Sequence, residues 1–292
     1  MNTDIFKQFG EELDAQNVQP LGQPTNRRAA LSQFGKLGLG AAALVVPFIG
    51  MAEKAHAAKY GSFRGGGNDL SDPEILNFAL TLEWLEYYFY LKGTRDGDIL
   101  DADRPLFNSI LNHEDQHVQL LTGALNTLGV TPVEFEEGDF DFSVNGADPF
   151  AEGSYELFLA LSQGFEDTGV RAYKGQAASI SGASRPGLGS YLTIALQIHS
   201  VEARHAAAVR MIRNGLTSAY ITGNTTDEPA IQAVYNGEET TVQGAGAGGG
   251  DLVSIFSGNA AYTRARITQS FDEPLNDEEV LAIANPFFVP QP

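Results

Sequence analysis

The sequence predicts an all-α fold. It reads as a four-helix bundle with one long crossover between helices 2 and 3, plus a mostly irregular C-terminal extension with a short helix. Three observations carry this. Four stretches of twenty-odd residues keep apolar side chains at helical spacing and are bounded by glycine or proline. The middle connection is roughly two dozen residues, about twice the other two, which sets the chain apart from a plain up-and-down bundle. No run alternates like a strand for long.

Ser71-Asp72-Pro73-Glu74 supplies an N-cap serine, a first-turn proline and a glutamate three residues on, opening a helix that runs to Lys92 and stops at Gly93. A second helix is predicted from near Pro105 to Leu128, closed by Gly129 and then Pro132. The third spans about Ser154 to Ile180 and the fourth about Gly189 to Asn214, with Gly215 past its end. Each would be roughly 30 Å long. Within the crossover, the acidic-aromatic run from Glu134 to Phe142 reads as an extended strap, its phenylalanines pinned to the bundle and its acids in water; the functional alternative is a cation-gathering lip. From Leu216 the chain is polar and contains the glycine tract Gly244 to Gly250, a linker with no nucleotide-binding pattern. A short last helix should start at the cap Asn276, with Glu279 three residues on, and end at Ala284 before Pro286.

The first 57 residues read as an address. Arg27-Arg28 and Lys36 precede an uncharged run from Leu37 to Ala52, and Ala55-His56-Ala57 offers small residues for cleavage. The arginine pair resembles a twin-arginine export signal. An uncharged run of 16 residues interrupted by Pro47 is shorter than the roughly 20 needed to span a bilayer, so no stable membrane anchor is expected after cleavage. The division expected is therefore a signal over 1–57, a linker over 58–70, the bundle over 71–215 and the extension over 216–292. Periplasmic or extracellular localisation follows from that reading.

Charge and composition restrict the chemistry. Net charge is −19 and the leader is neutral, so the remainder keeps the whole imbalance. Such a surface repels phosphate backbones and anionic headgroups and attracts cations, which argues against nucleic-acid binding. With no cysteine, thiolate metal sites and cysteine nucleophiles are excluded, and any metal must be held by carboxylates and imidazoles.

Two of the 5 histidines lie three residues after a glutamate, as Glu114–His117 and Glu202–His205. Glu114 and His117 share the stripe of Phe107, Ile110, Val118 and Leu121; Glu202 and His205 share that of Ala195, Ile198, Ala206 and Val209. Acid and imidazole thus point one turn apart into apolar faces. Helices one and three match each other as well: Glu83 precedes Tyr90 by seven residues, and Glu166 precedes Tyr173 by seven. The chain reads as a repeated helix pair. Four converging carboxylates would each cost several kcal/mol to bury ionised, and the inward stripes offer no Lys or Arg, since Lys174, Arg204 and Arg210 fall elsewhere on the wheel. Two divalent ions would supply the missing charge. Glu114 and Glu202 would bridge them, and oxygen and imidazole donors suit Fe or Mn more than structural Zn.

The metal-ligand candidates Glu83, Glu114, His117, Glu166, Glu202 and His205 follow the ligand pattern of the ferritin-like di-iron carboxylate superfamily, which the chain resembles over roughly residues 70 to 290. Within it, Val201-Glu202-Ala203-Arg204-His205-Ala206, Phe271-Asp272-Glu273-Pro274-Leu275 and Asn285-Pro286-Phe287 are similar to exported bacterial relatives of plant desiccation proteins. The resemblance implies a dinuclear centre of two Fe ions, with Mn the alternative. It implies oxidation of Fe(II) by O2 or peroxide in a stress-protective role, and it is compatible with a homo-oligomer. The other readings it leaves are a manganese catalase-like or other di-metal oxidoreductase, and a non-catalytic desiccation or structural protein. Tyr90 and Tyr173 are the candidate catalytic groups, as phenols bonded to ligating carboxylates or redox-active, against plain core packing. Glu86, one turn beyond Glu83, is the alternative or additional ligand; His199 is a candidate neighbour of the site. His113, turned about 100° from Glu114, reads as an ordinary surface or interface histidine, and Asp115 and Asp167 as partners of a ligating His or as solvent-facing acids.

Overall fold

A computed structural model describes residues 70–182, 184–185, 189–215, 218–244 and 250–290. The expected signal over 1–57, the linker up to 69 and the centre of the glycine tract lie outside the described residues. Four long helices form two hairpins: α1 (Asp72–Asp96) packs along α2 (Arg104–Thr127), and α3 (Tyr155–Gln176) along α4 (Tyr191–Asn214). Residues 128–154 make the long crossover between α2 and α3. No helix of the described residues is long and apolar enough to cross a membrane.

The start of α1 is held as its sequence predicts, with Ser71 N–H donating to Glu74 Oε2 at 2.7 Å. Its end is not at Gly93. The helix runs on to Asp96, and Gly93 is buried inside it because a Cβ there would collide with the Phe158 ring of α3. This glycine serves close helix packing instead of termination. Similarly, α3 ends at Gln176, four residues short of the expected Ile180.

α2 is amphipathic, burying Phe107, Ile110, Glu114, His117, Val118, Leu121, Ala124 and Leu125. α1 and α3 are instead buried on almost every face, so each needs a second cover. For α1 the cover is the crossover. Trp84 Nε1–H donates to the Val133 carbonyl at 3.1 Å and Tyr88 O–H to that of Phe135 at 3.0 Å. Phe135, Phe140 and Phe142 are buried while Glu134, Glu136 and Asp141 are exposed, so this segment is a pinned strap.

For α3 the cover is the C-terminal extension, which is more ordered than its polar composition predicts. A 3-10 turn over Pro229–Tyr235 lays Ile231, Val234 and Tyr235 against α3, where Gly164 leaves space for Ile231. Short helices α5 (Leu252–Ile255) and α6 (Arg264–Thr268) follow. α7 (Asp277–Ala284) starts on the expected capping box, with Asn276 Oδ1 accepting from Glu279 N–H at 2.9 Å, and packs on α3. The tail then reaches the crossover, Val289 N–H donating to the Asp139 carbonyl and Asp141 N–H to that of Phe287, each at 2.8 Å. Two-residue antiparallel pairs, Ser184–Arg185 with Gly189–Ser190 and Val242–Gln243 with Gly250–Asp251, are the named strands among the described residues.

Candidate metal centre

Each long helix brings its glutamate to the bundle axis at mid-length, and Glu83, Glu114, Glu166 and Glu202 are each 0% exposed. The six predicted ligands meet in two overlapping groups. One is Glu83, Glu114, His117 and Glu202; the other is Glu114, Glu166, Glu202 and His205. Within each group one candidate donor atom per residue lies within 4.8 Å of the rest. Glu114 and Glu202 belong to both, while each hairpin supplies one group with its own terminal glutamate and the other with none.

Distances define the arrangement further. His117 Nδ1 lies 3.1 Å from Glu83 Oε2, 3.0 Å from Glu114 Oε2 and 3.2 Å from Glu202 Oε1. His205 Nδ1 lies 3.0 Å from Glu114 Oε1 and 3.1 Å from Glu166 Oε2. The two oxygens of Glu114 therefore face different imidazoles, which is the disposition of a bridging carboxylate. One imidazole nitrogen has a single lone pair or a single proton and cannot satisfy three carboxylates. Correspondingly, Glu114 Oε1 and Glu202 Oε1 each have an imidazole beside them but no well-aligned hydrogen bond, and Glu202 Oε2 is buried with no hydrogen-bond partner. Such orphaned oxygens in a dry interior are costly unless a cation takes them.

Electrostatics gives the same answer. Burial pushes the Glu114 carboxyl up to about 7, aided by the charge of Glu202, and the Glu202 carboxyl up to about 8, aided by that of Glu166. At Glu83 burial also raises, but the His117 charge and the hydrogen bonds from His117 and Tyr173 outweigh it, leaving a net fall. Burial disfavours both imidazolium forms, yet Glu83 raises His117 above its ordinary value and Glu166 raises His205 to about 11. Protons are standing in for positive charge. The donor set of hard oxygen and imidazole without thiolate fits Fe or Mn.

Glu86 is buried beside the cluster but belongs to neither four-residue group. It is 3% exposed, and its carboxyl is raised well above the ordinary value by burial and then by Glu202, Glu166, Glu114 and Glu83. Gly169 of α3 makes room for it: a Cβ there would lie 2.9 Å from Glu202 Oε2 and 3.4 Å from Glu86 Oε1. A glycine facing an acidic stripe was the available sequence signal.

The tyrosines cross between hairpins. Tyr90 of α1 donates to Glu166 Oε1 of α3 at 2.5 Å, and Tyr173 of α3 donates to Glu83 Oε1 of α1. Burial and the neighbouring carboxylates, Glu166 and Glu83 respectively, raise both phenols well above their ordinary range, so they stay protonated donors. His113, expected as an ordinary surface or interface histidine, is on the surface but has a partner at the site. Its exposed ring stacks on His205 with centroids 5.1 Å apart, and its Nδ1 lies 2.8 Å from His205 Nε2. With His205 Nδ1 turned to the carboxylates, Nε2–H donates to His113, the outer hydrogen bond that commonly fixes a ligating imidazole.

Two expectations are corrected, and a third residue, Asp115, takes its solvent-facing alternative. His199 does not reach the site; its Nδ1 lies 3.1 Å from the Val170 carbonyl on the flank of α3. Asp167 neither bonds a ligating histidine nor faces water: it pairs with buried Arg210 and accepts from Tyr235 at 2.7 Å. Asp115 accepts from Gln119 on the surface of α2 at 2.6 Å. Arg171, 1% exposed and marked by no sequence motif, is held by Glu238 at 3.0 Å and by the carbonyls of Val234, Asn236 and Glu273. It ties the extension to α3.

The family model of the ferritin-like domain matches residues 71–215. Those residues form a ferritin-like domain. The match covers all four long helices and every candidate ligand, and it leaves the extension outside. A comparison with curated proteins finds no match.

Proposed function

We propose that this chain is an exported ferritin-like protein that holds a pair of iron ions and oxidises Fe(II) with O2 or peroxide. The observation that carries the reading is the sharing of buried Glu114 and Glu202 between two four-residue groups. Glu83 and His117 would complete one ion's protein ligands and Glu166 and His205 the other's, with the Glu86 carboxyl buried beside them. A ferrous pair supplies two electrons, which with two protons reduce O2 to hydrogen peroxide or hydrogen peroxide to water.

The chain's own groups orient and insulate. Tyr90 and Tyr173 fix the terminal carboxylates, a positioning role, since each phenol donates to a glutamate. His113 holds the His205 ring, and the buried apolar walls strengthen every interaction at the centre. The net charge of −19 raises the local concentration of cations. Export rests on Arg27-Arg28, the apolar run and Ala55-His56-Ala57, and a stress-protective role rests on the resemblance to exported desiccation-related proteins. The same donors suit manganese, which would favour a catalase-like reaction. Elemental analysis of protein from its own export pathway, then O2 and peroxide consumption by the iron-loaded chain, tests the reading. Two irons per chain with oxidant consumed in step with Fe(II) is expected; manganese content with peroxide dismutation contradicts it.

A further inference from the structure

The two halves of the centre are alike in ligands but not in surroundings. Beyond Tyr90 the bundle axis is sealed by rings. Phe107 stacks 6.1 Å from the Tyr90 ring, Phe158 lies 6.4 Å from it, and the two phenylalanines meet edge to face at 4.9 Å. Beyond Tyr173 the packing leaves a small cavity. Lined by all four long helices, it leaves about 20 Å³ in which the centre of a water-sized molecule fits. Its walls include Ala79, Leu82, Leu121, Tyr173 and Ala195, with Gln176 among the lining residues.

Helix register places this cavity beside the metal ligands. Ala79 is four residues before Glu83, Leu121 four after His117, Tyr173 seven after Glu166 and Ala195 seven before Glu202. Each is one or two turns away, roughly 6–10 Å, and Tyr173 both lines the cavity and donates to Glu83. Water held in a protein interior needs two to four polar partners. Here the Tyr173 hydroxyl is engaged and the walls are hydrocarbon, so a small apolar molecule is the better occupant.

We propose that this cavity is the dioxygen site of the protein, delivering the oxidant to the centre from the Tyr173 end of the bundle and not from the Tyr90 end. The inference rests on the ferrous-oxidation reading. It adds the route, the asymmetry and a preference for O2 over the polar peroxide.

Xenon-pressurised crystals of the full chain test the cavity without relying on chemistry. One xenon site among Ala79, Leu121, Tyr173 and Ala195, with none at the Phe107–Phe158 end, is expected; no xenon there, or equal xenon at both ends, overturns the proposal. The iron-loaded variants Ala79→Leu and Ala195→Leu, checked for unchanged metal content and helicity, should lose xenon. Their KM for O2 should rise by about tenfold at unchanged kcat, with peroxide-driven oxidation unaffected. An unchanged KM for O2 in a variant that has lost xenon overturns it, as does a wild-type protein that uses peroxide but not O2. A chain that binds no iron removes the parent reading, while the xenon map still reports on the cavity.

Discussion

Tyr173 and Glu83 show what a single contact does here. The phenol donates to one carboxylate oxygen and leaves the other free to face His117. Tyr173→Phe and Tyr90→Phe should each weaken metal binding about 10–100-fold, the usual effect of removing an outer partner of a ligand. Metal titration followed by spectroscopy checks this; a purely packing role would leave affinity unmoved. Gly169 gives a sharper test, since alanine is the better helix former by about 1 kcal/mol. Gly169→Ala should therefore leave the metal-free fold as stable as before, by denaturant unfolding, and still lower metal affinity, because its Cβ meets Glu202. At this scale the convergence of the six side chains was legible because an acid on an apolar stripe is costly to bury and demands a compensating positive charge. The crossed tyrosine bonds were not: the +7 repeat marks Tyr90 and Tyr173, but only the packing of hairpin on hairpin shows that each serves the other's glutamate. His113 was missed for a related reason, since a wheel angle of about 100° ignores the neighbouring helix that brings His205 to it.

Among the elements, α1 and α3 depend on covers drawn from elsewhere in the chain, the strap for one and the extension for the other. Arg171 is the anchor of the second cover, binding Glu238 and three carbonyls. Arg171→Met should cost about 3–5 kcal/mol in denaturant unfolding, because it leaves Glu238 buried and unpaired. Adding Glu238→Gln should restore part of that loss. The helices themselves were readable from caps and periodicity, apart from Gly93. A glycine near a helix end looks like a stop signal, and its true cause, the Phe158 ring, lies on another helix. The order of the extension was hidden because Ile231, Val234, Phe287 and Phe288 are buried from short 3-10 turns and the residue following one, too brief for a helical or strand period to show.

For the whole molecule, the buried cluster links metal, protons and stability. Without metal, Glu114 and Glu202 keep protons to about 7 and about 8, against an ordinary value of 4.5. Acids raised in this way contribute stability below their unfolded value and lose it as pH rises through the folded one. His205, raised to about 11 from 6.5, also contributes stability at low pH that is lost only as pH rises toward that value. Metal-free protein should thus lose thermal stability as pH climbs from about 5 to 8. Metal displaces those protons, so the gap in Tm between loaded and metal-free protein should widen over the same range, with protons released on binding. Calorimetry in two buffers of different ionisation enthalpy measures that release; a gap that narrows with rising pH contradicts this linkage.

The dinuclear centre is tested most directly by the number of metal ions per chain in the wild type and in the double variant Glu114→Ala with Glu202→Ala. Since those two glutamates are the ones shared by both groups, elemental analysis should find two ions per wild-type chain and none in the double variant. A single ion in the wild type, or the same metal content in both proteins, would contradict it.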